Sequence, residues 1–247
     1  IETSEEIMLP KTLLHVGLGW DRIRAKVDLD TSIVVFDDQG QYMNAAYFGC
    51  QQIRGVKHLG DSTTGDEETG GDDEAVIVNL DELPRNALAL FVVVTAYSEG
   101  SRFSDVTKGY CRVLQDPSSS PTELCRLKLD MKGPHTAIVL CRIVRSGAGW
   151  CLRAIGKTDF VSRNFGVMVP QLKEGLKDLV PGIRIHPKDK VAVLRKGTEC
   201  KIADLRDDKA DRFTFGLAWD VTDGVEIDLD ASAICLDKSL RCKDIIF

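Results

Sequence analysis

From Leu13 to Ile155 the chain is a succession of short apolar runs, each closed by turn residues. Leu14, Val16 and Leu18 alternate with His15, Gly17 and Gly19, and Trp20-Asp21 ends the run. Ser32 to Phe36 stops at Asp37-Asp38-Gln39-Gly40, and Tyr42 to Phe48 follows. Val76, Val78 and Leu80 alternate again, and Leu88 to Tyr97 is apolar and rich in β-branched residues, as a central strand is. Runs over 105–114, 123–129, 136–144 and 150–155 complete the set, joined by segments rich in Pro, Gly, Ser and Asp. No helical pattern of roughly 10 to 15 residues separates any two of them, which removes parallel βαβ units. The pattern predicts a mostly β chain folded as an antiparallel β-sandwich, with residues 1–12 as an irregular lead-in.

The pattern changes near Phe160. Val169, Leu172, Leu176 and Leu179 fall at helical spacing, with Lys173, Glu174 and Lys177 off that face. Pro170 suits a first helical turn and Pro181-Gly182 a stop. Residues 190–194 and 199–205 predict a short hairpin around Lys196-Gly197, and 204–212 a charged linker. Then the opening returns. Phe215-Gly216-Leu217-Ala218-Trp219-Asp220 echoes Val16-Gly17-Leu18-Gly19-Trp20-Asp21. Asp228-Leu229-Asp230 echoes Asp28-Leu29-Asp30, and Asp237 falls where Asp37 would. Such self-similarity is an internal repeat. It predicts a sandwich over 1–159, a connector over 160–210 with one helix and a hairpin, and the truncated start of a second β domain over 211–247.

One stretch resists a purely structural account. Gly60 to Glu74 reads GDSTTGDEETGGDDE and holds seven acids without a basic residue. Carboxylates about 4 Å apart repel by roughly 1 kcal/mol per pair even in water. Two readings are open: a solvated acidic loop, or a cage of oxygen ligands for a hard divalent cation such as Ca²⁺ or Mg²⁺. Asp28-Leu29-Asp30 places two more carboxylates on one face of a strand, since side chains alternate. The loop is not an EF-hand, because Thr63 and Gly65 stand where that motif wants acids or amides.

Taken together, GLGWD (17–21), DLDTS (28–32), VKHLGD (56–61), TGGDDEAVIVNLDELP (69–84) and the closing WCLRAIGK (150–157) resemble the TerD family, the tellurium-resistance and general stress domains. The resemblance implies a calcium-binding β-sandwich, with two Ca²⁺ ions the expected complement. It maps the metal ligands onto Asp28 and Asp30 and onto Asp61, Thr64, Gly65, Asp66, Asp72, Asp73 and Glu74. Thr31 and Ile33 stand where the family usually has alanines, and the loop before GDDE is longer than usual.

Composition narrows the functions. A net charge of −6 without a basic stripe argues against nucleic acid. No apolar run reaches the roughly 18 to 20 residues that span a bilayer. No leader of basic then apolar residues is read at Ile1, and the eight cysteines are scattered without a CxxC pair. They predict free thiols in a reducing, cytoplasmic compartment. Three functions follow in order of preference. The first is a non-catalytic calcium-binding stress-response module with protein partners. The second is a Mg²⁺-dependent phosphatase of the haloacid-dehalogenase type, with Asp28 as nucleophile. The third is a calcium-dependent binder of membrane surfaces.

Overall fold

The computed structural model describes residues 6–22, 27–60, 71–116, 121–129, 131–147, 149–159, 161–193 and 232–246. The chain divides into two compact units, 1–205 and 206–247. The strands of the first unit are β1 (Glu6–Met8), β2 (Leu13–Arg22), β3 (Leu29–Asp37), β4 (Tyr42–Ala46), β5 (Gln52–Ile53), β6 (Val56–His58), β7 (Glu74–Asn79), β8 (Ala87–Ala96), β9 (Val106–Gln115), β10 (Thr122–Lys128), β11 (Ala137–Ser146) and β12 (Gly149–Asp159). They are followed by one helix, α1 (Phe165–Glu174). Two six-stranded sheets form, ordered β1-β12-β11-β8-β3-β4 and β10-β9-β2-β7-β6-β5. Their pairings are antiparallel throughout. This is the sandwich that the spacing of short runs predicts.

Alternation decides which residues meet between the sheets. Leu14, Val16 and Leu18 of β2, Val76 and Val78 of β7, and Val113 of β9 face Ile33 and Val35 of β3 and Leu90, Val92 and Val94 of β8. The second sheet is buried on one face only, so β7 alternates between buried and half-buried positions. The first sheet is covered on both. Val34, Phe36, Ala45, Ala89, Phe91 and Val93 on its outer face pack against Phe165, Met168, Val169, Leu172 and Leu176. That second core explains why β3 and β8 read as continuous apolar runs rather than alternating ones.

α1 begins earlier than its apolar spacing predicts, because the Asn164 side chain caps it by accepting from the Val167 amide. Pro170 therefore sits inside the helix, not in its first turn. A proline there removes the amide that would bond the carbonyl four residues back. The orphaned carbonyl is that of Gly166, and the Val191 amide donates to it at 3.0 Å. The crossing is close: a Cβ on Gly166 would lie 2.0 Å from the Val191 oxygen. Residues 190–193 take this path without strand pairing, and the rest of the expected hairpin, 194–205, lies outside the described residues. Two further expectations change. β1 pairs with β12, so part of the lead-in is a strand. The short ribbon β5–β6, turning at Gly55, was not legible as strands.

In the second unit, β13 (Ala233–Leu236) and β14 (Cys242–Ile246) form a hairpin that repeats β3–β4 at an offset of 200 residues. Val35 pairs with Asn44 and Phe36 with Tyr42, across a bulge; Cys235 pairs with Asp244 and Leu236 with Cys242, across the same bulge. Asp37 Oδ1 accepts from the amides of Gln39 and Gln41, as Asp237 Oδ1 does from those of Ser239 and Arg241. Gly40 has φ 71°, and Leu240 takes φ 60° in the same place. The residues 211–231, which carry the other echoes, lie outside the described residues. No helix among the described residues is long and apolar enough to cross a membrane.

Candidate metal-binding end of the sandwich

The candidate residues gather where β2 ends, β3 begins and the β6–β7 connection departs. Register fixes this: Leu18 of β2 pairs with Glu74, and His58 at the end of β6 pairs with Val76. A hydrogen bond ties them to the first sheet. The pairing of β4 with β3 stops at Ile33 and Ala46, and beyond it the Thr31 amide donates to Glu74 Oε2 at 3.0 Å. Glu74 thus crosses from one sheet to the other, one residue away from Asp30.

Burial here is unusual for carboxylates. Asp28, Asp30 and Glu74 retain 7%, 2% and 2% of their exposure. The His58 ring, equally buried, lies 3.7 Å from Glu74. The Asp28 carbonyl accepts from the Tyr97 amide, which anchors the start of β3 to the end of β8. The Asp73 amide donates to the Leu18 carbonyl and its Oδ2 accepts from the Trp20 amide, both at 2.7 Å. The Trp20 indole donates in turn to the Val27 carbonyl, closing β2 onto the approach to β3.

The three consecutive acids of GDDE diverge. Glu74 turns inward, Asp73 caps the end of β2, and Asp72 lies on the outer face of the second sheet. There Arg112 Nε and Nη2 donate to the two Asp72 oxygens at 3.0 Å each, the Tyr110 hydroxyl donates at 2.9 Å, and His15 Nε2 lies 2.9 Å away. Burial works to raise the Asp72 carboxyl, but the bonds from His15, Arg112 and Tyr110 outweigh it and hold it at about 2. Burial and the Asp72 charge push the Tyr110 hydroxyl up to about 12. Arg126 stacks over the Tyr110 ring at 4.3 Å and pairs with Glu123.

This cluster accounts for the glycines of the GLGWD motif. A Cβ on Gly17 would fall 2.0 Å from Asp72 Oδ2, and one on Gly19 would fall 2.7 Å from the Tyr110 ring. Asp72 and Tyr110 lie flat on β2 because those two positions carry no side chain. Glycines at alternate positions of a strand signal such a close approach. That spacing is the one signal in the sequence for His15, Tyr110 and Arg112, which no motif marks. His58 carried no comparable clue.

Of the nine ligand candidates, Asp28, Asp30, Asp73 and Glu74 stand at this end of the sandwich, and Asp72 is turned away from them. Asp61, Thr64, Gly65 and Asp66 lie outside the described residues, on the connection that leaves from this end. Among the described residues, no group of three or more His, Cys, Asp or Glu side chains is placed to hold a metal ion.

The fold is shared with solved structures. A crystal structure of a homologue of the telluride resistance protein TerD from Streptomyces coelicolor A3(2) superposes with a TM-score of 0.55 at 18% identity, covering 66% of this chain and 98% of that one. The family follows from sequence. The TerD domain model matches residues 3–160, and the chain belongs to that family. It is 35% identical over 157 residues to tellurium resistance protein TerZ of Serratia marcescens, covering 58% of this chain and 78% of the relative. It is 31% identical over 185 residues to stress response protein SCP2 of Bacillus subtilis, covering 64% and 90%.

Proposed function

We propose that this chain is a calcium-binding stress-response module that acts by binding rather than by catalysis. Its relatives are named for tellurium resistance and stress response. The observation that carries the reading is the burial of Asp28, Asp30 and Glu74 at the end from which the acidic connection departs. Buried carboxylate charge is costly unless positive charge compensates it. An all-oxygen donor set suits Ca²⁺. Asp28, Asp30, Asp73 and Glu74 would supply ligands from the sandwich, and Asp61, Thr64, Gly65 and Asp66 from the connection. Six of these eight are carboxylates, enough negative charge for two ions. Asp72 has another part: with Arg112, Tyr110 and His15 it moors the C-terminal stem of the connection. When bound, calcium would supply charge neutralisation and would order the connection as a surface for a protein partner.

The antiparallel sheets count against the phosphatase alternative. That chemistry needs its nucleophile at the end of a parallel strand, whereas Asp28 precedes an antiparallel one. Titration calorimetry with Ca²⁺, paired with thermal unfolding in EDTA and in millimolar Ca²⁺, tests the proposal. At a hundredfold excess over Kd the ion should add about 2.7 kcal/mol of stability. Asp28→Asn with Asp30→Asn should remove the binding heat, whereas Asp72→Asn should leave the stoichiometry unchanged. Identical melting with and without calcium would sink the reading.

We also propose that the β13–β14 hairpin opens a second copy of the same domain, as its register and its Asp237 turn suggest.

A further inference from the structure

Arg163 lies just beyond the family match, which ends at residue 160. Its Nη1 donates to three backbone carbonyls, those of Ala96 at 3.1 Å, Ser98 at 2.9 Å and Ser101 at 2.6 Å. These carbonyls belong to the turn that follows β8. Ser101 draws the turn tight, since its amide and its hydroxyl both donate to the Ser98 carbonyl. Gly100, at φ 82°, lets the chain double back. Carbonyl oxygens converging on one point need a donor or a cation among them, and the guanidinium is both.

The same turn reaches the candidate metal end. Leu29 and Asp30 of β3 pair with Ala96 and Thr95 of β8. The Tyr97 amide, between two of the clamped carbonyls, donates to the Asp28 carbonyl at 2.9 Å. The backbone that carries Asp28 and Asp30 is thus held by the segment that Arg163 holds. On its other side Arg163 is fixed to α1. Gln171 of the helix donates to Asp159 Oδ2 at 2.6 Å, and Asp159 Oδ1 accepts from the Val161 amide at 2.7 Å. Thr136 closes the path: its hydroxyl donates to the Ser162 carbonyl at 2.6 Å, while its own carbonyl accepts from the Ala96 amide. Asn164, next in the chain, caps the helix.

We infer that Arg163 is a positioning residue for calcium at the candidate site, and that it couples occupancy of that site to the start of α1. The inference rests on the calcium reading proposed above. Arg163 acts through the backbone of 96–101 and contributes order: it holds the start of β3, and with it Asp28 and Asp30, in place before an ion arrives. Preorganisation of this kind lowers the cost of binding. The charge of Arg163 works in the opposite sense, since a nearby cation repels another. Removing the side chain therefore weakens calcium if order dominates and strengthens it if charge does. A residue that only stabilises the fold would leave the affinity unchanged.

Calcium titration calorimetry on the full chain tests this, with Arg163→Met and Arg163→Lys beside the wild type. Methionine keeps an unbranched stem and loses the donors, whereas lysine keeps three donors on one nitrogen. Arg163→Met should weaken calcium binding by about tenfold, within the usual range of coupling between sites. Arg163→Lys should recover most of that loss. The rise in melting temperature that a fixed calcium concentration brings should be smaller in Arg163→Met than in the wild type. Unchanged or tighter binding by Arg163→Met overturns the inference and leaves the calcium reading standing. A wild type with neither binding heat nor calcium-dependent melting overturns the calcium reading and the inference with it. Should Arg163→Met misfold, amide exchange in the wild type decides. Calcium should slow exchange at Tyr97 and Ser101, and also at Val161 and Val167, where the helix begins. Slowing at Tyr97 without any at Val161 and Val167 overturns the coupling.

Discussion

Asp72 illustrates how much one side chain can organise through the groups it holds. Its charge is held by Arg112, Tyr110 and His15, and its carboxyl stands at about 2 against an ordinary 3.8. A carboxyl depressed in the fold stabilises it fully above the unfolded value and loses that contribution as pH falls through the folded one. Measured in EDTA, the stability gap between the wild type and Asp72→Asn should therefore be constant above about pH 4 and close toward pH 2, from about 1 to 2 kcal/mol. The packing is as specific as the charge. Gly17→Ala should cost about 2 kcal/mol by overpacking. In a double-mutant cycle with Asp72→Ala most of that cost should vanish, because the atoms that the new Cβ meets are those of Asp72. Full additivity would show that the glycine has another reason to be there. At this scale the sequence was only half legible. It marked GDDE as a unit, but residue order alone could not show three neighbouring acids leaving in three directions. Strand alternation sends Asp72 and Glu74 the same way only while the strand lasts, and β7 begins at Glu74.

At the scale of elements, alternation and turn chemistry located most of the strands, and the helix came within a few residues of its place. The failures have physical causes. β1 and β5 are too short to show a period, and their pairing is decided by neighbours far along the chain. The start of α1 was misplaced because Pro170 looked like an N-terminal residue, while the compensating donor, Val191, comes from beyond the helix. The β13–β14 hairpin offers a sharper test. Leu240 is exposed and holds φ 60°, where β-carbon-bearing residues are strained by roughly 1 to 2 kcal/mol. Leu240→Gly removes that strain and loses no packing, at some entropic cost in the unfolded chain. Amide exchange at Asp237 and Arg241, which close the turn, should slow by a few-fold. Faster exchange would mean that the turn is not formed as in β3–β4.

For the whole molecule, the helix is the element that the sandwich expectation undervalued. Read as part of a connector, α1 instead completes a second core with the outer faces of β3 and β8. Leu172 is wholly buried there, and Leu172→Ala should cost about 3 kcal/mol in a denaturant titration. A loss below about 1 kcal/mol, the scale of an exposed site, would mean that the helix is a loosely held appendage. Arg142 makes the same point with charge. Almost fully buried on β11, it reaches Glu6 of β1 and Asp178 beyond the helix, tying the first strand to the segment that follows the last.

This arrangement bears on how such proteins should be cut for expression. The family match ends at residue 160, five residues before α1 begins. A fragment stopped there would leave Phe36, Phe91, Val34 and Val93 open to water, an apolar patch of the kind that drives self-association. Extending the fragment to residue 193 keeps the helix and the segment whose Val191 amide satisfies Gly166. The shorter piece should bind a hydrophobic dye and elute as aggregate, and the longer one as a monodisperse species. The boundary of recognisable ancestry and the boundary of autonomous folding fall at different places along this polypeptide.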